Sequence, residues 1–137
     1  MARIMAIDFG TKRIGIAVTD NLKIIASGLT TVHSNEVMNF LEEYFRKENV
    51  ECIVVGKTNY DGRGKNVSEL ADDFCDALKK KFPSKKIDRM DEYSTSKMAH
   101  STMLQIGMKK MARRNKELVD KISATIILQS YLELKNF

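Results

Sequence analysis

Three carboxylate positions could carry chemistry in this chain: Asp8, the adjacent pair Asp91 and Glu92, and Asp120. Acids far apart in sequence that gather at one crevice suit magnesium or manganese, which take hard oxygen ligands and keep several waters. Two such ions about 4 Å apart activate an attacking water and stabilise the leaving oxygen of a phosphodiester. Asp8 lies inside an apolar run with the period of a strand, where an ionised carboxylate is costly unless a cation meets it. Lys12 or Arg13, on the Gly-Thr-Lys-Arg turn that follows, can answer it, and so can a metal ion. The other acids favour the metal. Asp91 and Glu92 are strand neighbours facing opposite ways, so one of them is a bystander. Asp120 opens a stripe that continues through Ala124, Ile127, Leu128 and Tyr131, which aims its carboxylate at the sheet. Ile122 and Ile126 form a competing stripe, and an acid early in a helix is also favoured by the helix dipole alone. Gly10 and Gly15 leave room for a backbone or a metal-bound phosphate to approach closely. Asp20 and Asp61 read as turn residues.

These residues need elements to hold them. Residues 2–9 alternate as a strand, with Ile4, Ala6 and Asp8 on one face and Met5, Ile7 and Phe9 on the other. The turn at 10–12 leads into a second strand, 13–19, giving an antiparallel hairpin. Residues 23–32 read as a third strand, bent at Gly28. Asn35 is placed to cap a helix reaching about residue 49, with Val37, Leu41, Tyr44 and Phe45 as its apolar stripe. The run 51–56 is continuously apolar, as in a buried parallel strand. After a polar loop at 57–65, the pattern predicts a helix over 66–82 that buries Val67, Leu70, Ala71, Phe74 and Leu78 and stops at Pro83. Residues 86–91 form a fifth strand. Ser94 or Thr95 caps a helix closed by Gly107, residues 109–116 make a basic loop, and 117–134 form the last helix.

Strands joined through helices cross over and lie parallel, while the opening strands pair antiparallel. The expected class is therefore α/β, a mixed five-stranded sheet with helices packed on its faces. The functional crevice of such a sheet lies past the carboxyl ends of its parallel strands. Asp8, Gly56 and the Asp91-Glu92 pair all fall near such ends.

The chain has 137 residues, 43% apolar and 30% charged, enough for one domain, 1–137, with a core of its own. No apolar stretch approaches the roughly 20 residues of a membrane span, and no signal-peptide pattern is present, so the cytoplasm is the expected compartment. Cys52 and Cys75 make no metal spacing and read as buried thiols. A net charge of +5 and a pI near 9.2 suit a nucleic-acid partner without requiring one. Lys12 and Arg13 lie beside Asp8, Arg63 and Lys65 on the loop after the fourth strand, and Lys109, Lys110, Arg113, Arg114 and Lys116 form the densest basic cluster. Phosphate contacts from them would give sequence-independent, salt-sensitive binding, although a basic loop can also serve solubility alone. Tyr60 and Tyr93 could stack on bases but read more simply as rim residues, and His33 and His100 have no metal-spaced partner. Met98, Met103, Met108 and Met111 read as packing.

The stretch Asp8-Phe9-Gly10-Thr11-Lys12-Arg13-Ile14-Gly15-Ile16-Ala17-Val18-Thr19-Asp20 resembles the opening of YqgF (RuvX-type) proteins. So does Val54-Val55-Gly56 before a loop with Asn59-Tyr60-Asp61-Gly62. Asp91-Glu92 with Ser94-Thr95 and Ala99 resembles that family's Asp-Glu-Arg-x-Thr segment. Lys116-Glu117-Leu118-Val119-Asp120, Ala124 and Ile127-Leu128-Gln129-Ser130-Tyr131-Leu132 are similar to its terminal helix. The resemblance covers essentially the whole chain and implies a ribonuclease-H-like fold and a nuclease. The family is named both as a Holliday junction resolvase, by analogy with RuvC, and as a pre-16S ribosomal RNA nuclease acting at the 5′ end. Its acidic triad maps onto Asp8, Glu92 and Asp120. Two departures bear on substrate preference: Tyr93 stands where the family has arginine, and Lys57-Thr58 replaces a proline-containing segment.

The resulting expectation is a magnesium- or manganese-dependent phosphodiesterase acting on precursor ribosomal RNA, free or on ribosomal particles. Asp8, Glu92 and Asp120 would hold the metal, with Lys12, Arg13, Arg63, Lys109, Lys110, Arg113 and Arg114 on the nucleic acid. Cleavage of four-way DNA and nucleic-acid binding without catalysis are the alternatives. Asp-x-Gly-Thr-Lys also resembles the phosphate loop of actin-like ATPases, whose sites need a second large lobe that 137 residues do not supply. The residues separate neither RNA from DNA nor monomer from dimer.

Overall fold

The computed structural model describes residues 2–57, 64–91 and 116–135. Its elements are β1 (Arg3–Asp8), β2 (Arg13–Thr19), β3 (Ala26–His33), α1 (Val37–Lys47), β4 (Val50–Lys57), α2 (Gly64–Lys81), β5 (Lys86–Asp91) and α3 (Lys116–Lys135). The five strands form one sheet in the order β3-β2-β1-β4-β5. β2 pairs antiparallel with both β1 and β3, and β4 pairs parallel with both β1 and β5. The mixed sheet expected from the element order is present, with helices on both faces. It sets the carboxyl ends of β1, β4 and β5 along one edge.

Hydrophobic parity explains the layering. Met5, Ile7, Ile14, Ile16, Ile53 and Val55 turn to one face, where Val37 and Leu41 of α1 and Phe74, Cys75 and Leu78 of α2 cover them. Ile4, Ala6, Ala17, Cys52 and Val54 turn to the other, against Ala124, Ile127, Leu128, Tyr131 and Leu132 of α3. Central β1 and β4 are apolar on both faces because both are covered, as parallel strands of α/β sheets require. The face under α3 carries small residues on β1 and β2, Ala6 and Ala17, so the last helix can lie close to the strands. The predicted stripe of α3 is therefore the buried one. Ile126 is buried too, outside that cluster, because this helix is apolar around much of its circumference.

Four local expectations are corrected. β3 begins at Ala26, not residue 23, because the Asp20 carboxylate accepts hydrogen bonds from the Ile24 and Ile25 N–H groups at 2.8 and 3.0 Å and holds those residues in a turn. Lys23 takes a left-handed φ of 61° there. Asn35 does not cap α1, whose N-cap is Glu36 without a side-chain bond. α2 starts at Gly64 rather than 66, and Leu70 is exposed on it. The expected Ala71, Phe74 and Leu78 are buried, and Cys75 joins them. The expected helix at 94–107 and residues 109–115 of the expected basic loop lie outside the described residues, while Lys116, expected in that loop, begins α3. Cys52 and Cys75 are both buried and free, and burial pushes each thiol pKa up. No helix among the described residues is long and apolar enough to cross a membrane.

Candidate active site

Asp8 ends β1 at the edge shared with β4 and β5. The alternation that sends Ile4 and Ala6 to the α3 face sends Asp8 there as well. Phe9, one residue on, packs on the opposite face against Phe74, with ring centroids 5.1 Å apart. Directly across the hairpin from Asp8 stands Gly15. A Cβ at Gly15 would lie 2.1 Å from the carbonyl oxygen of Asp120 and 2.5 Å from its carbonyl carbon. The backbone of α3 thus rests on β2 at that residue, and no side chain fits between them. Asp8 and Asp120, at opposite ends of the sequence, are brought to one side of the sheet through this single glycine.

Asp120 is met by a cation. The Arg13 Nε donates a 2.9 Å hydrogen bond to its Oδ2, across 107 residues of sequence. Arg13 and Gly15 are two positions apart on β2 and share a face, so the guanidinium reaches past the glycine to the helix. Of the two roles open to Arg13, partner of Asp8 or contact to phosphate, neither names this partner. Its ion pair with Asp120 links β2 to α3. Side-chain exposures of 34% and 22% mark the pair as partly solvated, so its net strength is modest.

The turn between β1 and β2 is tied down by backbone contacts. The Ser34 N–H donates to the Lys12 carbonyl at 2.9 Å, and the Ser34 hydroxyl donates to the Thr11 carbonyl at 2.7 Å. Lys12 is exposed on this turn, beside the acids. At both glycines it is a backbone, the first of the two expected approaches, that comes close. The space at Gly15 is filled by α3, and a Cβ at Gly10 would lie 2.4 Å from the Arg13 carbonyl oxygen. Asp20 does act as a turn residue, at the far end of the hairpin. The Ile25 and Ile24 N–H groups hold its carboxyl below the usual carboxylate range.

β5 brings the second acidic segment to the same edge, with Asp91 paired to Lys57 in register. Glu92, Arg63, Lys109, Lys110, Arg113 and Arg114 lie outside the described residues, as do Asp61, Tyr60, Tyr93 and His100. Among the described residues no three His, Cys, Asp or Glu side chains group as a metal set. The two acids that are described nevertheless fit a divalent ion. Asp8 supplies hard carboxylate oxygens at the end of β1 and Asp120 supplies them from α3, and the Arg13 contact shows that the Asp120 carboxylate lies where a positive charge is accommodated.

A further polar cluster under α3 has no counterpart in the motif reading. The Tyr131 hydroxyl donates to Asp88 Oδ2 at 2.8 Å and lies 3.8 Å from the Cys52 sulfur. Burial and then this bond push the Tyr131 pKa well above its ordinary value. Burial pushes the Asp88 carboxyl up, but the Tyr131 hydroxyl and the Arg89 N–H outweigh it and leave the group below its ordinary value. This is a structural latch between β5 and α3. Only the alternation of polar and apolar residues in Lys86–Asp91 hinted that Asp88 shares the α3 face.

A protein of Bacteroides thetaiotaomicron named "Putative pre-16S rRNA nuclease" is 51% identical over 139 residues, covering 100% of both chains. A protein of the same name from Christiangramia forsetii is 53% identical over 133 residues, covering 96% of this chain and 98% of its own. In fold, the chain is similar to Thermus thermophilus RuvC solved with a Holliday junction substrate, at TM-score 0.59 and 13% identity over 98% of this chain and 96% of that one. It is likewise similar to a fowlpox virus resolvase solved with Holliday junction DNA, at TM-score 0.60 and 15% identity over 97% and 98%. These likenesses place the sheet and its helices in the ribonuclease-H-like class. The RuvX family model, described as Holliday junction resolvase, matches residues 2–134, and with it the strand-end acid, the glycine seat and the helix that rests there: the chain belongs to the RuvX family.

Proposed function

We propose that this chain is a divalent-metal-dependent endonuclease that hydrolyses phosphodiester bonds of nucleic acid, with the 5′ end of precursor 16S ribosomal RNA as its substrate. Residues 1–137 act as one nuclease domain working in the cytoplasm. The observation that carries the reading is the seating of Asp120 against Gly15, which gathers it with Asp8 at the end of the parallel strands. Glu92 completes the set in this reading. It follows Asp91, the last residue of β5, directly in sequence, and the family resemblance assigns it to the acidic triad. Bound magnesium or manganese supplies electrostatic stabilisation of the developing charge and makes water a better nucleophile at neutral pH. Asp8, Glu92 and Asp120 would hold it. Lys12 and Arg13 orient the phosphodiester from the turn beside the acids, and Arg63, Lys109, Lys110, Arg113 and Arg114 extend the contact along the backbone. The name shared by relatives about half identical over the whole chain supports ribosomal RNA as the substrate.

The test compares wild type with Asp8→Asn on precursor ribosomal RNA and on a four-way DNA junction, under Mg2+ and under Mn2+. The expected outcome is metal-dependent cleavage of the RNA by wild type, lost in Asp8→Asn with circular dichroism and unfolding transition unchanged. Undiminished cleavage by the folded variant would refute the mechanism. Symmetric cutting of the junction with no action on the RNA would transfer the substrate assignment to branched DNA.

A further inference from the structure

We infer that Arg13 is an internal counter-ion that trades places with the metal, holding the Asp120 carboxylate in position without the ion and turning to the phosphodiester once the ion is bound. The inference rests on the metal reading above and goes beyond it by giving one side chain two successive partners. Its first support is the pair itself: a guanidinium on β2 and a proposed metal ligand on α3, 2.9 Å apart, on the strand face and sheet edge that Asp8 shares. Two acids drawn together at a sheet edge repel one another, and a fixed cation relieves that repulsion while the site is assembled. The second support is geometric. An arginine presents five N–H donors in a planar fork, and the bond to Asp120 uses Nε. Such a fork matches a phosphate in a bidentate fashion, which a lysine does not. The third is exposure. With a third of the Arg13 side chain in contact with solvent, leaving Asp120 does not strand a charge in the core. Lys12, the adjacent exposed cation, forms no ion pair among the described residues, so the exchange is specific to the residue that reaches α3.

Two measurements test this. In the first, metal-free 15N-labelled protein is titrated with Mg2+ while the Arg13 Nε–H signal, assigned by its loss in Arg13→Gln, is followed. The expected result is a hydrogen-bonded, slowly exchanging Nε–H that becomes solvent-exchanging at saturation. A signal unchanged at saturating Mg2+ overturns the inference without any variant having to fold. In the second, Mn2+ binding without nucleic acid is read from the free-ion electron paramagnetic resonance signal for wild type, Arg13→Gln, Arg13→Lys and Asp8→Asn. Removing a like charge beside the ion should tighten Mn2+ binding roughly tenfold in Arg13→Gln, whereas Arg13→Lys, which keeps the charge, stays near wild type. Equal or weaker binding by Arg13→Gln, as a purely structural strut would give, overturns the inference. Full Mn2+ binding by Asp8→Asn overturns the metal reading itself, so the two failures are distinguishable. The phosphate half is read from RNA binding against salt in Ca2+: Arg13→Gln should lower the slope by about one, and an unchanged slope refutes that half.

Discussion

Replacing Gly15 by alanine tests the feature that gathers the acids. The added Cβ would stand 2.1 and 2.5 Å from the carbonyl oxygen and carbon of Asp120 and 3.1 Å from the Lys121 nitrogen. All three are backbone atoms of a helix, so no side chain can swing away. Restoring ordinary contact requires α3 to lift from β2 by about 1 Å, and overpacking of this kind costs about 1–3 kcal/mol. A displacement of about 1 Å at a catalytic group can lower a rate by about 100-fold. Gly15→Ala is therefore expected to lose about 1–3 kcal/mol in urea unfolding and about two orders of magnitude in single-turnover cleavage at saturating Mg2+, measured where the variant is fully folded. Gly28→Ala is the matched control. Its Cβ would meet side-chain atoms, the Lys121 Cγ at 2.6 Å and the Thr125 Oγ1 at 3.2 Å, and no helix backbone, so its losses in stability and cleavage should be smaller than those of Gly15→Ala. Wild-type cleavage by a folded Gly15→Ala would refute the idea that this contact positions Asp120. Equal damage from both glycine variants would show general sensitivity of the sheet instead.

Two further outcomes follow from the polar contacts. Tyr131→Phe removes the hydroxyl that donates to Asp88 and should cost about 1–3 kcal/mol at neutral pH, as for a bond to a charged group. Because the folded Asp88 pKa is depressed, its contribution is present above the unfolded carboxylate value and fades as pH falls through the lower folded one. The difference between Tyr131→Phe and wild type should accordingly shrink in acid unfolding curves, and a gap constant below the usual carboxylate range contradicts the assignment. Asp20→Ala should speed amide exchange at Ile24 and Ile25 while leaving the β1–β2 amides protected. Acid should loosen the same two amides in wild type, since the depressed Asp20 pKa places its stabilisation above the unfolded value.

The sequence made the scaffold legible because apolar parity is a direct record of burial. Ile4 and Ala6 against Met5 and Ile7 sorted β1 onto two faces, and the continuous run of β4 announced a strand covered on both sides. Asp120 was legible for the same reason, since it starts a stripe that Ala124, Ile127, Leu128 and Tyr131 bury. What stayed hidden depends on which element crosses which. The Arg13–Asp120 pair and the filled space at Gly15 follow from where α3 lies over the hairpin, and no local pattern encodes that crossing. Asn35 and residues 23–25 went the other way through local competition. An Asp20 side chain that captures two backbone N–H groups delays β3 whatever the β propensity of Ile24 and Ile25.

The hydrogen bond between Arg13 and Asp120 spans 107 positions, so the first hairpin made during synthesis waits for α3 before Arg13 meets this partner. A growing chain can build β1, β2 and β3 early, since their pairing is local. It lacks Asp120, and the helix backbone that seats on Gly15, until translation reaches α3. Under the proposed function, chain order alone should therefore keep a polypeptide that ends before α3 from cleaving nucleic acid.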